Sequence, residues 1–221
     1  MKTVPVNEVK AVIFDLDGTL IDTEKIYREV WPKTIKQLGY EMTDEMYLTM
    51  RSLGRPYAPE RLKGWYGEDF DYEAARSLRT RLFNEVIERD GIHRMPGAIE
   101  LLTYLKSKGI VTAIATATDS ARALDYMRRT GIDSYFDRVI SARSVPCGKP
   151  SPMVYEYACR ELGFSPSDCI AVEDAPNGIK SAHDAGMRVI MVPDQSEPEP
   201  ELLPLLFECV DNLTCIRNII V

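Results

Sequence analysis

VKAVIFDLDGTLID, running from Val9 to Asp22, carries both a strand and a site. Val9, Ala11, Val12, Ile13 and Phe14 form an apolar run rich in β-branched residues, the pattern of a strand covered on both faces of a parallel sheet. The run stops at Asp15. Asp17 follows one residue later, and Gly18 can take the positive φ that a tight turn needs. Two carboxylates thus arrive at the carboxyl end of a central strand, where open α/β sheets place their ligands. Charges delivered to that position must lose water and find partners, so DxDG marks chemistry, not stability.

Outward from this strand, Thr23 to Leu38 reads as a helix through Ile26, Val30, Ile35 and Leu38, with Gly39 as its stop and Pro32 as a kink or boundary. Tyr72 to Arg89 reads as a second helix, with Leu78, Leu82, Phe83, Val86 and Ile87 on its apolar face. Between them, Arg51 to Asp69 reads as irregular, broken by Gly54, Pro56, Pro59, Gly64 and Gly67.

From Met95 onward, helix and strand alternate. Helices are predicted over Ala98 to Lys108, Ser120 to Arg129, Ser151 to Gly163 and Pro176 to Ala185. Strands are predicted over Ile110 to Ala115, Arg138 to Ser141, Cys169 to Val172 and Met187 to Val192. Such alternation implies an α/β fold with a doubly wound parallel sheet, a Rossmann-like core. Residues 23–92 are far too many for an ordinary crossover. They read as an inserted α-helical cap domain, leaving 1–22 and 93–221 as the catalytic core. PDQSEPEPELLP, residues 193–204, reads as a surface loop.

Composition narrows the partners. With 45% hydrophobic and 28% charged residues, the chain is an ordinary globule, not a disordered one. A net charge of −7 argues against nucleic acid and against anionic membranes. There is no transmembrane-length apolar stretch and no signal-peptide core, and the five cysteines show no CxxC spacing, so a cytoplasmic monomer with reduced thiols is expected. The two histidines, His93 and His183, rule out a three-histidine zinc site.

Three further predicted strands end in polar residues. Thr116, Ala117 and Thr118 offer a hydroxyl and N–H groups suited to a phosphate oxygen. Lys149, in CGKPSP, offers a cation against buried negative charge. Glu173 and Asp174 form a second carboxylate pair, which would repel Asp15 and Asp17 unless a cation lay between them. Oxygen-only ligation of this kind suits Mg²⁺.

Taken in order, DLDGT at Asp15–Thr19, the Thr116 strand end, Lys149 in GKPSP and VEDAPNGI at Val172–Ile179 resemble the four motifs of the haloacid dehalogenase superfamily. The resemblance is greatest to its sugar-phosphate phosphatase and β-phosphoglucomutase branch. It implies a Mg²⁺-dependent phosphatase acting on a small phosphorylated metabolite, a sugar phosphate in particular. Asp15 would be the nucleophile that forms an aspartyl-phosphate, and Asp17 the general acid and base, its main-chain carbonyl also touching the metal. Leu16, Thr116, Ala117 and Lys149 would bind phosphate. Asp15, Asp17, Glu173 and Asp174 would hold the metal.

The chain departs from the mutases of that branch in two places. Tyr27 stands where they carry a histidine in the first cap helix, and Arg55 follows Gly54 directly instead of lying a few residues beyond it. Both departures favour hydrolysis; a phosphomutase using the same intermediate is the alternative, and a non-catalytic binding protein of the same fold a lesser one. Tyr27, Trp31, Arg55 and Tyr57 are the candidate substrate contacts from the cap.

Overall fold

A computed structural model describes all residues, 1–221. Its first strand, β1 (Ala11–Phe14), is followed by α1 (Glu24–Gln37), α2 (Asp44–Met50), α3 (Tyr57–Tyr66) and α4 (Tyr72–Asp90). Then come α5 (Ala98–Ser107), β2 (Val111–Thr116), α6 (Ser120–Thr130), β3 (Arg138–Ser141) and α7 (Met153–Leu162). The chain continues through β4 (Cys169–Glu173), α8 (Pro176–Asp184), β5 (Arg188–Met191) and the short β6 (Glu208–Cys209). The strands form one sheet in the order β3-β2-β1-β4-β5-β6, every pairing parallel.

β1 lies in the middle, with Phe14 in register with Ile114 of β2 on one side and Val172 of β4 on the other. The chain winds outward from β1 through β2 to β3, then returns to continue through β4. The order therefore reverses beside β1, and the crevice outside the strand ends opens there. Side chains alternate across the sheet as a strand requires. Val12 and Phe14 belong to one apolar cluster that runs on through α5, α6 and the four inserted helices, whereas Ala11 and Ile13 belong to a second one with Val154, Tyr155, Ile179 and Ala182 from α7 and α8. No helix is long and apolar enough to cross a membrane.

The inserted segment departs from its sequence pattern. α1 runs through Pro32 without a break, because Ile26, Val30, Trp31 and Ile35 bury one continuous face. The stretch 51–69, expected to be irregular, contains α3. Its prolines precede the helix or fall in its first turn, where the missing N–H has no intrahelical acceptor to lose. α2 is too short for periodicity to reveal; Thr43 caps it by accepting from the Met46 N–H at 3.2 Å. Residues 193–204 form more than a surface loop, since Gln195 and Ser196 accept hydrogen bonds from Arg28 (3.1 Å) and Arg51 (2.5 Å) of the insert.

Candidate active site

The end of β1 is shaped by backbone bonds before any side chain acts. Asp15 N–H donates to Val172 O at 2.9 Å, prolonging the pairing with β4 by one residue. The chain then turns on Gly18, at φ 82°, whose N–H donates to Ile21 O at 2.9 Å. A side chain at Gly18 would strike the Asp174 carboxylate at 2.7 Å, so the motif's glycine is required by closeness as well as by φ. The turn leaves the main-chain carbonyl of Asp17 and the N–H of Leu16 without a protein partner, and the Ala117 N–H is free in the same way.

Asp15 and Asp17 point to different surroundings. Lys149 Nζ donates to Asp15 Oδ1 at 2.5 Å and to Glu173 Oε1 at 2.6 Å, and all three residues are buried. Tyr155 OH completes the shell by donating to Glu173 Oε1 at 2.5 Å. Asp17 instead accepts from Thr23 Oγ1 (2.6 Å), Thr118 Oγ1 (2.8 Å) and Thr116 Oγ1 (3.5 Å). Thr116 is fully buried, its Oγ1 also capping the Thr118 N–H at 3.0 Å; Ala117 and Thr118 are the residues that reach the cavity.

Burial, followed by the charges of Glu173 and Asp17, pushes the Asp15 carboxyl well above its ordinary range despite the opposing Lys149. Burial likewise raises Asp174, helped by Glu24 and Asp15. Lys149 moves the other way from what burial alone would do: the two carboxylates it touches hold its ammonium above the ordinary lysine range. One lysine cannot neutralise this group. Asp15, Glu173 and Asp174 each place a carboxylate oxygen within 4.8 Å of the others, and Asp15 Oδ2 and Glu173 Oε2 have no hydrogen-bond partner. Buried carboxylates gathered this closely, with Glu173 Oε2 unpartnered, are the donor set of a hard divalent cation, so these residues fit Mg²⁺. The Asp17 carboxylate lies outside that trio, leaving its unpartnered carbonyl as the atom it can offer a metal.

Over these groups lies a cavity of about 390 Å³ whose roof comes from the inserted helices. Tyr27, Trp31 and Arg55 line it; Tyr57 does not, being spent on the apolar core instead. Tyr27 is buried and stacked on Phe83, with ring centres 4.4 Å apart, and Arg55 is exposed and paired with Glu73.

Sequence reasoning missed two buried, charged residues that line the cavity. Arg51 is buried, and its Nη1 lies 3.5 Å from Asp174 Oδ2, bringing a positive charge from the insert to the carboxylates. Glu24, at the start of α1, is buried against the Tyr47 hydroxyl; desolvation lifts its pKa to about 7. Glu24 lies only two residues beyond the Val9–Asp22 stretch that carries the aspartates, and could have been found by that nearness. Arg51 sits in an irregular loop and carries no such signal.

The insert is sewn to the core beside Lys149. Gly54 N–H donates to Lys149 O at 2.8 Å, Gly148 N–H donates to Arg55 O at 2.7 Å, and Asn177 Nδ2 donates to Arg51 O at 2.8 Å. The two glycines allow this approach, since a side chain at Gly54 would meet Gly148 Cα at 2.7 Å.

Comparison with known proteins agrees with this geometry. The profile of a hydrolase family, haloacid dehalogenase-like hydrolase, matches residues 9–186. A Thermotoga maritima protein named phosphorylated carbohydrates phosphatase is 30% identical over 82% of this chain and 84% of its own. Hexitol phosphatase A of Escherichia coli is 29% identical over 95% of each. Among solved structures, CbbY from Rhodobacter sphaeroides in complex with phosphate superposes with a TM-score of 0.75 at 27% identity, over 93% of this chain and 95% of that one.

Proposed function

The chain belongs to the haloacid dehalogenase-like hydrolases, and from that premise we propose that it is a Mg²⁺-dependent phosphatase that hydrolyses a small sugar phosphate through an aspartyl-phosphate on Asp15. The observation that carries this reading is Lys149, which grips one oxygen of Asp15 and leaves the other, Oδ2, without a partner. A carboxylate held by one oxygen and free at the other is an oriented nucleophile. The names borne by the relatives, acting on phosphorylated carbohydrates and hexitol phosphates, support the substrate class.

In the first step Asp15 Oδ2 bonds to phosphorus, the ester P–O bond breaks, and protonated Asp17 gives its proton to the departing sugar oxygen. In the second, Asp17 takes a proton from water, the water oxygen bonds to phosphorus, and the bond to Asp15 breaks, releasing phosphate. The hydroxyls of Thr23 and Thr118, the two closest to Asp17, hold its carboxylate in place through both transfers. The free N–H groups of Leu16 and Ala117, with Thr116 and Lys149, receive the phosphoryl oxygens. Mg²⁺, held by Asp15, Glu173, Asp174 and the Asp17 carbonyl, would supply neutralisation of the charge spread over those oxygens.

Within this scheme residues 23–92 act as the cap. Tyr27, packed on Phe83, and Arg55, paired with Glu73, favour water over a second sugar as acceptor, hence hydrolase over mutase. Phosphate release from a panel of sugar phosphates should cease with EDTA and return with Mg²⁺, and Ca²⁺ should inhibit because it prefers looser, higher coordination. With β-glucose 1-phosphate and a bisphosphate primer, inorganic phosphate should form faster than glucose 6-phosphate. Undiminished turnover in chelator, or isomer as the main product, would overturn the corresponding half of the proposal.

A further inference from the structure

Glu173 is the metal-site residue whose side chain leaves β4 on the face away from the insert. Ile170 and Val172 join the apolar cluster that includes the inserted helices, Cys169 and Ala171 the one that includes α7 and α8, and alternation places Glu173 with the latter pair. It is fully buried there. α8 walls it in, because a Cβ at Gly178 would lie 2.1 Å from both carboxylate oxygens. Its two donors converge on one atom: Lys149 Nζ (2.6 Å) and Tyr155 OH (2.5 Å) reach Oε1, and Oε2 has no partner.

Packing does not ask for the hydroxyl of Tyr155. The residue belongs with Val154, Ala158 and Cys159 to the buried stripe of α7, which a phenylalanine would fill equally well. Tyr155 does not line the cavity, so it does not touch a substrate. What the hydroxyl adds is direction. Lys149 is shared with Asp15, at 2.5 Å, so its ammonium fixes one point on Glu173 and leaves the carboxylate free to turn about its soft terminal torsion. A second donor, carried on a helix, fixes the plane. The Tyr155 ring centre also lies 5.1 Å from Lys149 Nζ, so one side chain meets both the cation and the carboxylate.

We propose that Tyr155 is a positioning residue for the metal: from behind the sheet, its hydroxyl fixes the Glu173 carboxylate so that Oε2 stays free for a divalent cation. This inference rests on the Mg²⁺-dependent reading of the same site. Groups that hold a metal ligand from outside in this way are worth about 10- to 100-fold in metal affinity.

The test measures Mg²⁺ binding by calorimetry on the full chain, without substrate, in the wild type, Tyr155→Phe and Tyr126→Phe. Tyr126 is the matched control, a fully buried tyrosine in α6 whose hydroxyl has no hydrogen-bond partner. Tyr155→Phe should raise the Mg²⁺ Kd by about 10-fold or more, and its thermal midpoint should need correspondingly more Mg²⁺ for an equal gain. Tyr126→Phe should leave the Kd where it is. On top of Glu173→Gln, removing the Tyr155 hydroxyl should cost almost nothing further, since it acts only through that carboxylate. At saturating Mg²⁺ the KM of Tyr155→Phe for a sugar phosphate should match the wild type, because the cavity keeps its walls. An unchanged Kd in Tyr155→Phe overturns the proposal, as does an equal loss in Tyr126→Phe or in the Glu173→Gln background. Failure of Tyr155→Phe to fold also overturns it, by making the hydroxyl structural. A wild type that takes no Mg²⁺ removes the metal reading and this one with it. If Mg²⁺ binds and the loss in Tyr155→Phe is found, but no sugar phosphate is hydrolysed, Tyr155 keeps its role and the catalytic reading is what falls.

Discussion

At the scale of single residues, the site works by giving similar carboxylates different neighbours. Asp15 faces an ammonium and Asp17 faces three hydroxyls, one DLD apart. That division predicts a trapped intermediate. Asp17→Asn should fail on sugar phosphates, whose alkoxide needs a proton, yet still accept a phosphoryl group from acetyl phosphate, whose carboxylate leaves unaided. Dephosphorylation would lose general-base help worth about 10²–10⁴-fold. Rapid quenching and mass spectrometry should therefore find phospho-Asp15 in Asp17→Asn and none in Asp15→Asn; wild-type turnover of both substrates by Asp17→Asn would remove it as the acid–base. Glu24 yields a second prediction. Desolvation raises its pKa from 4.5 to about 7; Asp17 and Asp194 push the same way, against the Tyr47 hydroxyl and Arg51. The folded state thus favours protonated Glu24. Its contribution is fully present below pH ~4.5, where the unfolded chain is protonated too, and is lost as pH rises towards 7. Glu24→Gln should flatten that fall and raise the urea midpoint of metal-free protein at pH 8, by up to about 1–3 kcal/mol in stability. An identical pH profile for the two proteins would show that Glu24 is ionised at no cost.

At the scale of elements, close approach decides where glycine is needed, and the same substitution should act with opposite sign in two helices. In α8, a Cβ at Gly178 would lie 2.1 Å from the Glu173 carboxylate, so Gly178→Ala must push the helix or the glutamate away. A loss of about 1–3 kcal/mol is expected, as for overpacking elsewhere. In α3, a Cβ at Gly64 would meet nothing within 4 Å, and Gly64→Ala should gain about 0.5–1 kcal/mol from helix propensity. Urea unfolding of both variants checks the pair; a stabilised Gly178→Ala would mean that α8 does not sit on Glu173 as described. The same logic explains what the sequence could and could not reveal. β1 to β5 were legible because buried parallel strands read as apolar runs and their helices end on glycine, as at Gly131 and Gly163. α3 was hidden because its prolines and glycines look like punctuation until their positions within the turn are known. Tyr57 looked like a substrate contact for the same reason: without α3, nothing said which way it faced.

At the scale of the whole molecule, the legible part of the site is what one sheet edge delivers, and the illegible part is what folds over it from far away in sequence. Asp15, Lys149 and Glu173 end strands or follow them in recognisable motifs, whereas Arg51, Arg79 and Arg143 converge on the cavity from a loop, a helix and a turn with no common pattern. The sheet edge also sets the molecule's stability problem. Asp15, Glu173 and Asp174 are buried within 4.8 Å of one another, with Lys149 as the cation in direct contact with two and Arg51 at 3.5 Å from the third. Like charges held this close oppose folding, and a divalent cation bound only by the folded state turns the penalty into a gain that grows with its concentration. Mg²⁺ should therefore raise the thermal midpoint of the wild type; at 100 times its Kd the gain is about 2.7 kcal/mol. Asp174→Asn keeps the shape, removes one negative charge and removes a ligand. At pH 8 in EDTA this variant should melt above the wild type, because the relief of repulsion outweighs its weakened contact with Arg51. In saturating Mg²⁺ the order should reverse, since the variant gains little from the metal. Melting curves of both proteins, with and without Mg²⁺, decide the matter without any assay of activity. If Asp174→Asn gains as much from Mg²⁺ as the wild type does, Asp174 is not a ligand and the buried carboxylates must be balanced in another way.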